Sequence, residues 1–257
     1  MDEKVNKKGQ VAIWVIIAIF LAASIILFFF IERRVSVPTE VGAGELNPKQ
    51  FIDKCVRKHA NEAVDIMLPQ GGFIKPEHAK LYKNINVSYL CYNAGNYYPC
   101  INEHPVLINE IKDEIKRYIN HRVDQCFKDY EKEIERRNGI VKLSEMSLNV
   151  EIVPDRIFVN IERNTTISIN EQSYSYDNFN TEIISPVYNL ARVAMEIVSQ
   201  EAKYCYFEYI GYMILYPEFK ISRDVMSDST EIYTIEDKKS EKELNFAVRS
   251  CAIPPGF

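Results

Sequence analysis

Apolar side chains run without a break from Val11 to Ile31, 21 residues in which Ser24 is the sole polar position. At about 1.5 Å per residue a helix of that length spans roughly 31 Å, the hydrocarbon thickness of a bilayer. The stretch has no polar stripe, which a helix half-buried in a soluble core would show. A cleaved secretory signal has a shorter apolar run ending in small residues. Here Ala22-Ala23-Ser24 leads straight into IILFFFI. The pattern predicts a short cytoplasmic segment over 1–9, a transmembrane helix over 10–32, a linker over 33–48 and an extracytoplasmic domain over 49–257. Within the linker, VSVPTEVGAGELNP carries two prolines, two glycines and little bulk, so it is expected to be extended.

After the linker the period becomes helical. Asn47-Pro48 reads as an N-cap with proline at the first helical position. Phe51, Ile52, Cys55, His59, Ala63, Ile66 and Met67 then share one face, and Gly71-Gly72 ends the helix. His59 on that face reads more plainly as a hydrogen-bonded core histidine than as a ligand. INVSYLCYNAGNYYPC, with Asn93-Ala94-Gly95-Asn96 at its centre, predicts a hairpin or compact loop. Between Pro105 and Asn138 a long helix is expected. Its seam is Ile108, Ile111, Ile115, Tyr118, Ile119, Val123, Cys126, Phe127, Tyr130 and Ile134, and its opposite face is a lattice of charges. That lattice reads as a solvated surface.

From Leu148 the period falls to two. Leu148, Val150 and Ile152, then Ile157, Val159 and Ile161, then Ile167 and Ile169 alternate with polar residues, with turns expected at Pro154-Asp155 and Arg163-Asn164. Ser185-Pro186 opens a third helix, and the tyrosine-rich YCYFEYIGYMILYPEF is expected to extend its apolar surface. The chain closes on a hairpin whose tip is Glu236 to Glu243. The expected fold class is α+β, an N-terminal transmembrane helix followed by an ectodomain of amphipathic helices packed on antiparallel sheet.

Charge and cysteines bear on location. Lys4, Lys7 and Lys8 before the apolar run nearly balance Arg33 and Arg34 after it. The even set Cys55, Cys91, Cys100, Cys126, Cys205 and Cys251, and the sequons at Asn86 and Asn164, favour an outside domain. Cys91 and Cys100 flank one short turn, and Cys55 and Cys126 lie on helix faces expected to pack together. Cys205 and Cys251 are left as the third pair. Residues 1–34 hold five basic and three acidic side chains, so the chain's net −5 leaves −7 beyond them. No basic stripe exists for a nucleic acid to follow.

The chemistry-bearing motifs are few. There is no G-x-S-x-G, phosphate-binding glycine loop, H-E-x-x-H or C-x-x-C. Cys91, Cys100 and His104 could supply part of a zinc site, but a fourth ligand is not identifiable. Glu208 and Glu218 are the carboxylates placed to edge a cleft. Neither a catalytic residue, a metal site nor a cofactor is expected. Tyr204, Tyr206, Tyr209, Tyr212 and Tyr216 form a candidate interface, since tyrosine gives contact area with a polar tip.

Residues 7–31, KKGQVAIWVIIAIFLAASIILFFFI, resemble the N-termini of archaeal type IV pilin-like proteins. In that family a peptidase cuts between Gly and Gln, which here implies Gly9-Gln10 as the processing site. The family places a Glu five residues into the mature chain, where Trp14 stands in this sequence. The whole chain looks most like single-span archaeal surface proteins with this KKGQ start. The resemblance implies a membrane-anchored surface or envelope protein with a partner-binding, non-enzymatic ectodomain. The alternatives are a pilin-like filament subunit and a membrane-tethered extracellular hydrolase. Expected partners are the lipid bilayer and other envelope proteins or further copies of the chain.

Overall fold

The computed structural model describes residues 47–254. Helix α1 (Pro48–Met67) runs into a 3-10 turn at Leu68–Gln70. Strands β1 (Ala79–Tyr82), β2 (Ile85–Tyr92) and the short β3 (Ile101–Asn102) lead to α2 (Leu107–Glu135). Next come β4 (Ile140–Leu143), β5 (Ser147–Val153), β6 (Arg156–Ile169) and β7 (Gln172–Ile184). The chain ends with α3 (Val187–Tyr204), α4 (Tyr209–Leu215), β8 (Phe219–Val225), β9 (Glu231–Asp237) and β10 (Lys242–Arg249).

The strands form two sheets. In the smaller, the long β6 is the spine: β5 pairs with its first half, β4 with its second half and β7 along its other edge, all antiparallel. In the larger, the order is β1-β2-β10-β9-β8, with β3 also on β2. Helices α1 and α2 cover the smaller sheet, and α3 lies against the larger one while touching α2. The packed faces follow the helical period. Ile52, Val56, Ala60, Ala63, Val64 and Met67 of α1 are buried, as are Ile111, Ile115, Ile119, Val123, Cys126, Phe127, Tyr130 and Ile134 of α2. Ile108, placed in that seam by the sequence, is half-exposed.

The expected fold class is corrected on two counts. Among the described residues there is no helix long and apolar enough to cross a membrane. The two long helices, α1 and α2, carry charged outer faces, and the stretch expected to span, 10–32, lies outside the described residues. Among the described residues the fold is mixed α/β with two sheets and four helices. The larger sheet is not purely antiparallel, because β10 returns alongside β2 in parallel. That pairing joins segments about 155 residues apart and leaves no local sequence signature.

Two smaller expectations also change. Arg163-Asn164 is not a turn: β6 continues through it with a shift in register, and the chain reverses at Asn170-Glu171, both at positive φ. The aromatic segment extends the buried surface through Phe207 and Phe219 alone. Cys205 at φ 55 breaks the helix, and α4 buries none of its residues.

Candidate functional site

Gly71 and Gly72 make the site possible. Both have positive φ, and a Cβ on Gly71 would lie 2.8 Å from Ser88 Cβ, one on Gly72 2.9 Å from Ile111 Cγ1. Only glycine lets the chain pass this close between β2 and α2. It emerges as Phe73 to His78, one wall of a cleft of about 970 Å³. Ser88 and the α2 face formed by Glu110, Asp113, Glu114, Arg117 and Tyr118 supply other walls, and Glu103 and His104 the remainder. The Cys91–Cys100 disulfide ties β2 to the loop that delivers Glu103 and His104. Glu103 N also donates to Leu90 O at 2.9 Å, and His104 N to Asn102 Oδ1 at 2.9 Å.

Two histidine–carboxylate pairs face into this space. His78 Nδ1 is 2.9 Å from Glu103 Oε2, and His104 Nδ1 pairs with Glu110. Ring contacts orient both imidazoles. His104 packs at 4.6 Å on Phe73, and His78 at 4.7 and 4.5 Å on Tyr89 and Tyr92. Glu114 accepts from Ile74 N at 3.0 Å and pairs with Arg117. Five carboxylates, Glu77, Glu103, Glu110, Asp113 and Glu114, thus share the cleft with only Lys75 and Arg117 as fixed cations. Such pairs can hold and move protons, but among the described residues no nucleophile is aligned with them. Ser88 Oγ donates to the main-chain oxygen of His78 at 3.5 Å rather than to its ring.

At one end of the cleft Tyr118 carries the Arg122 guanidinium 3.6 Å over its ring. Burial, then a hydrogen bond to Glu62, pushes the Tyr118 phenol above its ordinary range. Hydrogen bonds from Tyr118 and from His59 hold the Glu62 carboxyl below its own. His59 is therefore a hydrogen-bonded partner of Glu62 whose side chain is 20 % exposed, at the edge of the packed face of α1.

The cysteines form three disulfides, Cys55–Cys126, Cys91–Cys100 and Cys205–Cys251, the same pairs the helix faces and the short turn indicate. The suggested zinc ligands do not gather, because Cys91 and Cys100 are bonded to each other and His104 is turned to Glu110. Among the described residues one group of metal-ligating side chains clusters, Cys55, His59 and Cys126, with its two sulfurs joined to each other as a disulfide. Of the tyrosines, Tyr204, Tyr206 and Tyr216 are exposed, together with Ile210, Ile214 and Leu215 of α4, and all lie away from the cleft. Glu208 caps α4, accepting from Gly211 N at 3.3 Å and from Tyr206 Oη at 2.6 Å. Asn86 and Asn164 are exposed on β2 and β6. Gly9 and Gln10 lie outside the described residues.

The cleft was not visible in the sequence, because its walls come from four separated segments with no recurring spacing. One signal was available. Gly71-Gly72 after a helix marks a close backbone approach as well as a helix end. Comparison with protein families, curated proteins and solved structures finds no match for the chain.

Proposed function

We propose that the chain is a membrane-anchored cell-surface protein, with the disulfide-bonded domain outside as a non-enzymatic, partner-binding module. The observation that carries the reading is the cleft beneath Gly71-Gly72. Its volume is in the range of ligand sites, and ordered polar groups converge in it. Three disulfides support an oxidising compartment for the domain. The excess of carboxylates in the cleft favours a partner presenting lysine or arginine side chains, another envelope or surface protein being the simplest source.

A lysine-rich peptide titrated into the purified protein is the direct test. Saturable binding is expected, weakening steeply with salt. The triple variant Glu77→Gln, Glu103→Gln, Asp113→Asn, which touches no buried core residue, is expected to lose most of it. Equal binding by the variant and the parent would sink the reading. Protease added to intact cells tests location separately, and is expected to remove an epitope placed after residue 47.

A further inference from the structure

The disulfide between α1 and α2 has a neighbour that a purely structural cross-link does not need. Cys55 and His59 are four residues apart on α1 and so share a face, which Cys126 meets from α2. The two sulfurs and a ring nitrogen of His59 all lie within 4.8 Å of one another. His59 Nδ1 is 3.1 Å from Glu62 Oε2, leaving Nε2 for another partner. Glu62 in turn accepts a hydrogen bond from Tyr118. A carboxylate on the nitrogen that does not bind the metal, itself held by a further hydrogen bond, is the arrangement that orients metal-binding histidines, and here it assigns the ligand role to Nε2.

We propose that, when the Cys55–Cys126 bond is reduced, Cys55, Cys126 and His59 bind a soft divalent cation of the zinc class, with water as the fourth ligand. A tetrahedral zinc site with two sulfurs and one imidazole sets its ligand atoms about 3.5–3.8 Å apart. The imidazole nitrogen already lies within 4.8 Å of both sulfurs, and the bonded sulfurs must part to roughly twice their bonded separation to reach that spacing. The chemistry balances with an external dithiol or phosphine as reductant. Two electrons and two protons open the S–S bond to two thiols: a dithiol gives up both and becomes a disulfide, whereas a phosphine gives the electrons, takes oxygen from a water molecule that supplies the two protons, and becomes a phosphine oxide. Metal binding then expels both thiol protons to solvent. The disulfide and the metal are thus alternative links between the same two helices. The inference stands on this cluster and does not depend on the cleft's binding a partner, although Tyr118 is common to both.

The test is titration of the full chain with Co²⁺ after reduction by a phosphine without oxygen. The oxidised chain is expected to show no response. The reduced chain is expected to bind one equivalent, with thiolate-to-cobalt charge transfer and the intense visible bands of a tetrahedral ion, displaced by Zn²⁺. His59→Ala should alter the visible bands and weaken binding. Glu62→Gln, which keeps every ligand, should weaken it by about 10-fold or more. The double variant Cys91→Ser, Cys100→Ser should retain the parent spectrum. Reduction also opens the other disulfides, so helical content is followed by circular dichroism alongside. Helix lost on reduction and regained with Co²⁺ in the parent but not in His59→Ala would support the site. Failure to bind one equivalent, or indistinguishable binding by the parent and His59→Ala, would overturn it.

Discussion

Glu201 is the residue whose environment departs furthest from what its side chain prefers. It lies on α3 three and four residues after Val198 and Ile197, so the helical period carries it into the core, where it is 1 % exposed. One oxygen accepts from the Tyr233 hydroxyl, and Oε2 has no partner. Burial, opposed by the Tyr233 hydrogen bond and augmented by Glu231, pushes the carboxyl up from its ordinary 4.5 to about 7, with Arg223 acting weakly against the rise. A raised carboxyl favours the protonated folded state. Its contribution is complete below pH 4.5, where the unfolded chain is also protonated, and is lost as pH rises through about 7. The rise corresponds to on the order of 3 kcal/mol. Urea unfolding of Glu201→Gln is therefore expected to match the parent near pH 4.5 and to show greater stability than the parent at pH 8. A parent stability that stays flat across this range relative to the variant would refute the assignment. The signal was readable in the sequence, since a carboxylate continuing an apolar helix stripe is an anomaly.

At the scale of elements, the three disulfides are not equivalent. Cys55–Cys126 spans 71 residues and Cys91–Cys100 only 9. In the chain-entropy account the first contributes about 4 kcal/mol and the second about 2.5 kcal/mol. Thermal unfolding of Cys55→Ala with Cys126→Ala is thus expected to fall further than that of Cys91→Ala with Cys100→Ala, which instead loosens the loop carrying Glu103 and His104. The reverse order of melting temperatures would contradict this. These pairs were legible because periodicity alone puts Cys55 and Cys126 on facing stripes, and a short turn brings Cys91 beside Cys100. The seam of α2 and the β5–β6 hairpin at Pro154-Asp155 were legible for the same reason: the partners are near in sequence and the pattern is periodic, whereas β7 is not read as a strand. The parallel β2–β10 pairing, the exposed α4 and the cleft were not. Each depends on where distant segments meet, and a one-residue event such as the left-handed Cys205 redirects a whole apolar run.

For the whole molecule, the question is whether the domain depends on the residues before it. The fully buried side chains include Val56 on α1, Ile115 and Phe127 on α2, Ile197 on α3 and Leu244 and Phe246 on β10, so the core closes between the first helix and the last strand. The described residues from Pro48 onward form one compact unit. A chain of about 210 residues has surface enough to bury for independent stability. All six cysteines lie within it and are paired there. Residues 47–257 expressed alone into an oxidising compartment are expected to remain in aqueous solution, unfold in one cooperative transition and show no free thiol when denatured. The full chain, with its 21-residue apolar stretch, is expected to pellet with membranes. A truncated chain that aggregates, or that melts without a transition, would mean that the first 46 residues complete the core rather than merely hold it in place.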